Sequence, residues 1–129
     1  MVGMDALRRA LGGLSLLYAL IFTPFALSHA GITIGPMDEP VIVPAAIVET
    51  LCAVAMLIGG YGALAGRPWA WDGLIYTHAA ALAGVVLGIL SLAFGAAEAT
   101  TLLSWYHSAM AAVLAAGLAG SFYVSRVRM

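Results

Sequence analysis

Four ionisable side chains lie inside or at the ends of long apolar stretches of this 129-residue chain, and they are the residues best suited to chemistry. Glu49 is the only acid within the apolar run 41–65. A carboxylate at membrane depth is costly and normally faces the protein interior, where it has a partner. Glu49 is therefore either a proton carrier or a ligand for an ion or substrate, or a structural acid hydrogen-bonded to a hydroxyl or histidine of a neighbouring helix.

Three histidines accompany this acid at different depths. His29 ends the first apolar segment and His107 begins the last one, so we expect both near the level of Glu49, with Tyr106 beside them. Such a set can bind a divalent metal or relay protons, since histidine titrates near neutral pH. His78 lies within the third segment, toward its opposite end. None of the familiar short ligand spacings occurs, so the sequence predicts no metal site.

Two cofactor alternatives rest on the same residues. A b-type haem needs two histidines at matching depth on facing helices, and only His29 and His107 meet that condition. Cys52 and Met56 share a helix face with Glu49, and their soft sulfur atoms suit Cu(I). Met and Cys at helical spacing more often pack a core, and the sequence accordingly predicts no cofactor.

The composition is typical of a protein embedded in a lipid bilayer. Apolar residues make up 64% of the chain and charged residues 9%, whereas soluble domains are roughly half apolar and a quarter charged. With about 20 residues per spanning helix, the chain accommodates four helices. We predict an all-α integral membrane four-helix bundle made of two antiparallel hairpins, formed by a single domain over 1–129, with helices at about 11–30, 41–65, 73–95 and 102–124.

Several functional classes are disfavoured by what the chain lacks. The formal net charge of −1 predicts no nucleic-acid partner. A single cysteine, Cys52, gives no disulfide framework and no thiolate metal cage. The sequence contains no P-loop, dinucleotide fingerprint, nucleophile elbow or CxxC pair. We therefore predict that the protein is not an enzyme.

The arginines predict the orientation in the membrane. All five lie in the head, the central loop and the tail, whereas the other two loops carry only acids. Because cytoplasmic loops are enriched in basic residues, both termini and the central loop are predicted to be cytoplasmic. An alternative is that Ser28–Ala30, after the first apolar run, form a signal-peptide cleavage site. Cleavage there would leave three helices.

Small residues at four-residue spacing predict how the last two helices pack. Lipid gives no hydrophobic drive for association, so close contact between small residues must supply it. The third helix carries one such stripe and the fourth carries another, and we expect the two to face each other; contact between copies of the chain is the alternative use. The stripes consist of Ala80, Gly84 and Gly88, and of Ser108, Ala112, Ala116 and Gly120. Asp72 is predicted to be the N-cap of the third helix.

The order of features in the first half of the chain resembles a known group. An arginine-containing head, a first helix with a loop after it, and the segment 49–62 (ETLCAVAMLIGGYG) look like the small four-helix DoxX-like membrane proteins. The resemblance implies a multi-pass protein of a bacterial-type plasma membrane and an important Glu49. It also implies, for some members, association with redox or quinone-linked complexes.

Three functional hypotheses follow, with the lipid bilayer as the common partner. The first is an accessory or scaffold subunit that packs against a larger membrane protein or forms a homo-oligomer. The second is a small transporter or proton-coupled channel that uses Glu49 with His29 and His107. The third is a redox or quinone-associated membrane component.

Overall fold

The computed structural model describes residues 2–128, and this part of the chain contains four long helices joined by short loops. The helices are α1 (Val2–His29), α2 (Val43–Leu64), α3 (Ala70–Ala93) and α4 (Thr101–Arg128). All four are long and apolar enough to cross a membrane. The predicted all-helical class and the number of helices are therefore confirmed for the described residues.

Successive helices run antiparallel and pack side by side as two hairpins, with α2 and α3 in contact between them. The C-termini of α1 and α3 and the N-termini of α2 and α4 meet at what we call the His29 end. The opposite end, the Arg8 end, brings together the start of α1, the α2–α3 loop and the end of α4. There the guanidinium of Arg8 donates to the carbonyl of Ala63, and that of Arg128 lies over the ring of Trp71. The five arginines therefore share one end of the bundle.

Two helices are longer than the apolar pattern predicts. α1 begins at Val2, because Asp5 lies in its first turn and Arg8 reaches back to it at 3.3 Å, a pairing that favours helix in the polar head. α4 continues to Arg128, with its arginines in the last turn, where they complement the helix dipole. Residues 2–9 are therefore helical and not a separate head.

The N-cap prediction for α3 is wrong. The helix begins at Ala70, with Trp69 in the capping position and no side-chain cap. Asp72 lies within the first turn, where its charge still complements the helix dipole. The ring of Trp69 packs against Gly62 of α2 and Gly73 of α3, which fixes Trp69 at the start of the helix.

Two buried clusters form the core. The larger fills the middle of the bundle and the His29 end, and aromatic residues of α1 pack there against α4. The smaller lies near the Arg8 end and consists of Leu11, Ala63, Trp71, Leu74 and Val124. α1 contributes to both clusters and is an integral wall of the bundle.

The backbones of α1 and α2 approach each other closely at Gly12 and Gly60. A Cβ at position 12 would come within 2.9 Å of the Ala63 Cβ, and one at position 60 would come within 3.1 Å of the Gly12 carbonyl oxygen. Glycine at both positions lets the two backbones approach, as small residues do in membrane helix pairs.

The small-residue stripes of α3 and α4 pack differently from the prediction. Gly84 lies against Cys52 and Val48 of α2, and only Gly88 meets α4. Ala80, Ser108, Ala112 and Ala116 are exposed, and Gly120 has no neighbour that a Cβ would meet. In the first half of α4 the buried face is instead formed by larger residues, because the imidazole of His107 and the side chains of Met110 and Leu114 fill the space toward α1 and α3.

A pair of adjacent glycines tests the α1–α2 contact. Gly12→Ala should lower the free energy of unfolding by about 1–3 kcal/mol, because the methyl group overpacks the interface. Gly13→Ala is the matched control, since a Cβ there meets nothing within 4 Å. Unfolding by a denaturing detergent, followed by circular dichroism, measures both; equal stability of the two variants would contradict the packing described here.

Candidate functional site

The candidate site lies at the His29 end and is built around one buried pair. Glu49 lies six residues after the start of α2 at Val43, about 9 Å along the helix axis. His29 is the last residue of α1, and its carbonyl accepts a hydrogen bond from the N–H of Ile42 at 2.9 Å. That bond fixes the end of α1 against the start of α2. As a result, Nδ1 of His29 lies 2.8 Å from Oε2 of Glu49.

Both members of the pair are buried, and each keeps one polar atom without a partner. The exposed fraction is 1% for His29 and 5% for Glu49. Nε2 of His29 and Oε1 of Glu49 are inaccessible and form no hydrogen bond. Each side chain therefore uses only one of its two polar atoms in a hydrogen bond. A buried polar atom without a partner costs about 1–3 kcal/mol.

Tyr106 of α4 is the third polar group of this layer. Its ring stacks on Phe25 with the centroids 3.7 Å apart, and the edge of Phe22 meets it at 6.2 Å. These two aromatic residues of α1 hold the ring in place. Its hydroxyl is buried beside Glu49 but forms no hydrogen bond of normal geometry. Three unpartnered polar atoms therefore lie in one otherwise apolar layer.

His107 lies next to Tyr106 and takes a fixed orientation. Its Nδ1–H donates to the carbonyl of Leu103, one turn earlier, at 2.8 Å. A carbonyl can only accept, so in the neutral ring Nε2 carries the lone pair. The ring fits because position 88 of α3 is glycine, and a Cβ there would overlap the imidazole.

Three of these side chains, those of His29, Glu49 and His107, line one cavity of about 400 Å³. The volume lies within the range of about 300–1,000 Å³ that small-molecule sites occupy. His29, Glu49 and His107 contribute to the wall together with Ser91 of α3, and the other lining residues are apolar or glycine. An apolar cavity with a few polar groups is the usual form of a small-molecule binding site.

His78 lies apart from this site, in the half of the bundle nearer to the Arg8 end. Its Nδ1–H donates to the carbonyl of Leu74 at 2.8 Å, and the ring packs on Gly117 of α4. The edge of Tyr18 approaches it, with the centroids 6.3 Å apart. The ring is fully buried, and its Nε2 has no partner.

The sulfur side chains named as copper ligands pack in the core. Cys52 is 5% exposed and its Sγ–H points to the Ala81 carbonyl at 3.8 Å, while Met56 is fully buried. Within residues 2–128, no three His, Cys, Asp or Glu side chains lie close enough together to hold a metal ion.

The two loops of the His29 end are joined by a hydrogen bond. The hydroxyl of Thr100 donates to Oε2 of Glu39 at 2.8 Å, which links the α3–α4 loop to the α1–α2 loop. The same hydroxyl accepts from the N–H of Leu103 at 3.1 Å and so caps α4. Both loops are held at the end of the bundle where the cavity lies.

Comparison of the chain with family models, with curated proteins and with solved structures finds no match. The likeness to DoxX-like proteins therefore stays a prediction, and the functional argument rests on the geometry of the site.

Sequence reasoning did not identify two features of the site. Ser91 contributes to the cavity wall, but a serine within a long apolar helix gives no signal of its own. Gly88 makes room for His107, yet the sequence suggested only that it would meet a small residue. The pairing of a glycine on one helix with an imidazole on the next becomes visible only when the register between α3 and α4 is known.

The His29–Glu49 contact should be measurable as a coupling energy. Replacement of His29 by Gln and of Glu49 by Gln, singly and together, forms a double-mutant cycle whose interaction term we expect to be about 1–3 kcal/mol. Unfolding in mixed detergent micelles supplies the four stabilities. Strictly additive single effects would mean that the two side chains do not interact.

Proposed function

We propose that the protein is a small proton-linked carrier that binds a small molecule in the cavity at the His29 end. The observation that supports this most is the buried His29–Glu49 pair, in which each side chain keeps one polar atom without a partner and both residues line a cavity. A pair that served only to hold helices together would gain from having both sides satisfied. An ionisable residue within a spanning segment is by default a functional-site hypothesis.

The proposal includes an orientation in the membrane of a bacterial-type cell. All five arginines lie at the Arg8 end, and the positive-inside bias supports a cytoplasmic location for that end and both termini. The His29 end then faces outward, and the cavity lies within the outer half of the bilayer.

A proton can be gained by the pair without loss of the contact. With Glu49 ionised, a neutral His29 donates its Nδ1–H to the carboxylate. One added proton gives either an imidazolium–carboxylate pair or a neutral acid beside a neutral ring. Each form changes the charge of the cavity wall by one, and so binding of a charged molecule is linked to proton binding.

The other titratable groups around the pair are few. On α2, Cys52 lies one turn below Glu49, and on α4 Tyr106 and His107 face the same layer. α3 brings only Gly84, Leu87, Gly88, Ser91 and Leu92 to the cavity. At the end of the bundle, Glu39 is bonded to Thr100.

Proton movement in liposomes tests this function. Liposomes that contain the protein and an enclosed pH-sensitive dye are mixed with fractions of a small-molecule extract of the host cells. At least one fraction should change the internal pH, and Glu49→Gln should abolish the change. Ala45→Phe, which fills the cavity, should abolish it too, whereas Val86→Phe on the exposed side of α3 should not. Absence of any protein-dependent pH change would contradict the proposal.

Labelling of single cysteines tests the orientation. In a Cys52→Ser background, a membrane-impermeant thiol reagent applied to intact cells should label Ala99→Cys in the α3–α4 loop. It should label Ala65→Cys at the end of α2 only after the membrane is opened. Both positions are exposed, and neither change removes an arginine. The opposite pattern would reverse the proposed orientation.

The accessory or scaffold role is the second candidate, and one observation favours it. Ser108, Ala112 and Ala116 form an exposed stripe of small residues on α4, a surface that suits close contact with another spanning helix. Native mass spectrometry of the protein in mild detergent distinguishes the two. A defined complex that dissociates in Ala112→Leu would favour the scaffold role, and a monomer would exclude a homo-oligomer.

A further inference from the structure

The charge at the Arg8 end points to a partner for that end of the bundle. We propose that Arg8, Arg67 and Arg128 bind the phosphate of an anionic phospholipid at the membrane surface. The inference goes beyond the proposed carrier function, because it concerns the end of the bundle opposite the cavity and involves no residue of the cavity wall. It follows from the charge of this end, from the position of the three arginines around one buried cluster, and from the apolar surface beside them.

Positive charge is in surplus at the Arg8 end. All five arginines lie there, whereas only two of the six acidic side chains, those of Asp5 and Asp72, share that end. Three positive charges therefore remain when each of these acids is set against one arginine. The two loops of the His29 end carry acids and no basic residue. An anionic partner is thus attracted to one end of the bundle and repelled by the other.

Three of the arginines surround the buried cluster at this end, to which Ala63 and Trp71 belong. The guanidinium of Arg8 donates to the carbonyl of Ala63. That of Arg128 lies over the ring of Trp71, 5.6 Å from its centroid. Arg67 lies four residues before Trp71, in the short loop that joins α2 to α3. The start of α1, the α2–α3 loop and the end of α4 therefore each place one arginine beside the same cluster.

The three guanidinium groups keep donors for a ligand. Within residues 2–128, the side chains of Arg67 and Arg128 are exposed and form no ion pair. Arg8 is partly exposed and uses a backbone carbonyl and Asp5 as partners, which leaves others of its five N–H groups unused. No side chain of the loop covers this guanidinium, because position 66 is a glycine whose φ of +61° disfavours other residues. A planar guanidinium can donate to two oxygens of one phosphate at once.

The other two arginines lie on different faces of their helices. Arg126 precedes Arg128 by two residues, which places it on the opposite side of α4, and its guanidinium lies 4.9 Å from the centroid of the exposed Phe122 ring. Arg9 follows Arg8 and is turned from it by about 100° around α1. Arg126 therefore carries the same charge at the same end of the bundle as Arg128, but away from the buried cluster.

Apolar surface next to the three arginines favours a lipid over a soluble phosphate compound. Leu7, Leu64 and Val127 are each at least 37% exposed, and each lies within three residues of one of these arginines along the chain. The exposed rings of Tyr61 and Trp69 lie 6.5 Å apart, and such aromatic residues are typical of the headgroup level of a membrane. A phospholipid uses both surfaces, with its phosphate on the arginines and its acyl chains on the apolar side chains. Basic pockets between spanning helices bind anionic lipid headgroups in this way.

Lipid titration of the whole protein in mild detergent, followed by native mass spectrometry, tests the class of partner. The probes are dioleoylphosphatidylglycerol and dioleoylphosphatidylcholine, which share their acyl chains and a phosphate but differ in net charge. The anionic lipid should bind about ten-fold more tightly or better. Inorganic phosphate at the same concentration should not displace it, because phosphate alone lacks the apolar contacts. Equal affinity for the two lipids, or displacement by inorganic phosphate, would overturn the assignment of an anionic lipid.

Variants test the position of the site. Arg67→Gln and Arg128→Gln should each weaken binding of the anionic lipid about five-fold, the contribution of one basic residue near a charged membrane surface, and leave binding of the other lipid unchanged. Arg126→Gln is the matched control and should change the affinity by less than about two-fold, because a charge away from the contact is screened by salt. Equal weakening in Arg126→Gln and Arg128→Gln would overturn the site, since diffuse charge alone would then account for the binding. The liposome experiment decides separately whether the protein is a proton-linked carrier.

Discussion

A carboxylate within an apolar helix must find a partner, and the structure around Glu49 follows from that requirement. Without His29 the side chain would be a buried charge in surroundings that solvate it poorly. The short α1–α2 loop brings the end of one helix to the start of the next, and a backbone bond from Ile42 to His29 fixes their level. The imidazole then reaches Oε2 of Glu49 at 2.8 Å. Oε1 of Glu49 remains without a hydrogen bond in the same layer as the Tyr106 hydroxyl.

The rest of the bundle holds this pair and leaves a cavity beside it. Aromatic rings of α1 and α4 stack between those two helices, because the ring of Tyr106 lies flat against Phe25. Between α1 and α2, Gly12 and Gly60 let the backbones approach closely. The glycine at position 88 admits His107 to the cavity wall.

The helices could be predicted from the apolar runs, because their length and composition leave few alternatives. The ends of the helices were harder to predict, because a polar turn such as the one at Asp5 and Arg8 extends a helix without any apolar signal. His29, Glu49 and His107 could be placed at one level by counting residues along each helix. The face of α4 could not be predicted: Ser108 and Ala112 looked like packing residues, but large side chains beside them fill the interior instead. Lipid-facing and protein-facing positions are both apolar, so periodicity alone does not separate them.

The central claim is that the His29–Glu49 pair exchanges a proton while it lies within the bundle. Infrared difference spectroscopy of the protein in lipid, between about pH 8 and about pH 5, tests that claim most directly. We predict carboxyl or imidazole bands that appear on acidification in the wild-type protein and vanish both in Glu49→Gln and in His29→Gln. Identical difference spectra in the wild-type protein and the two variants would show that the pair does not titrate, and they would contradict the account.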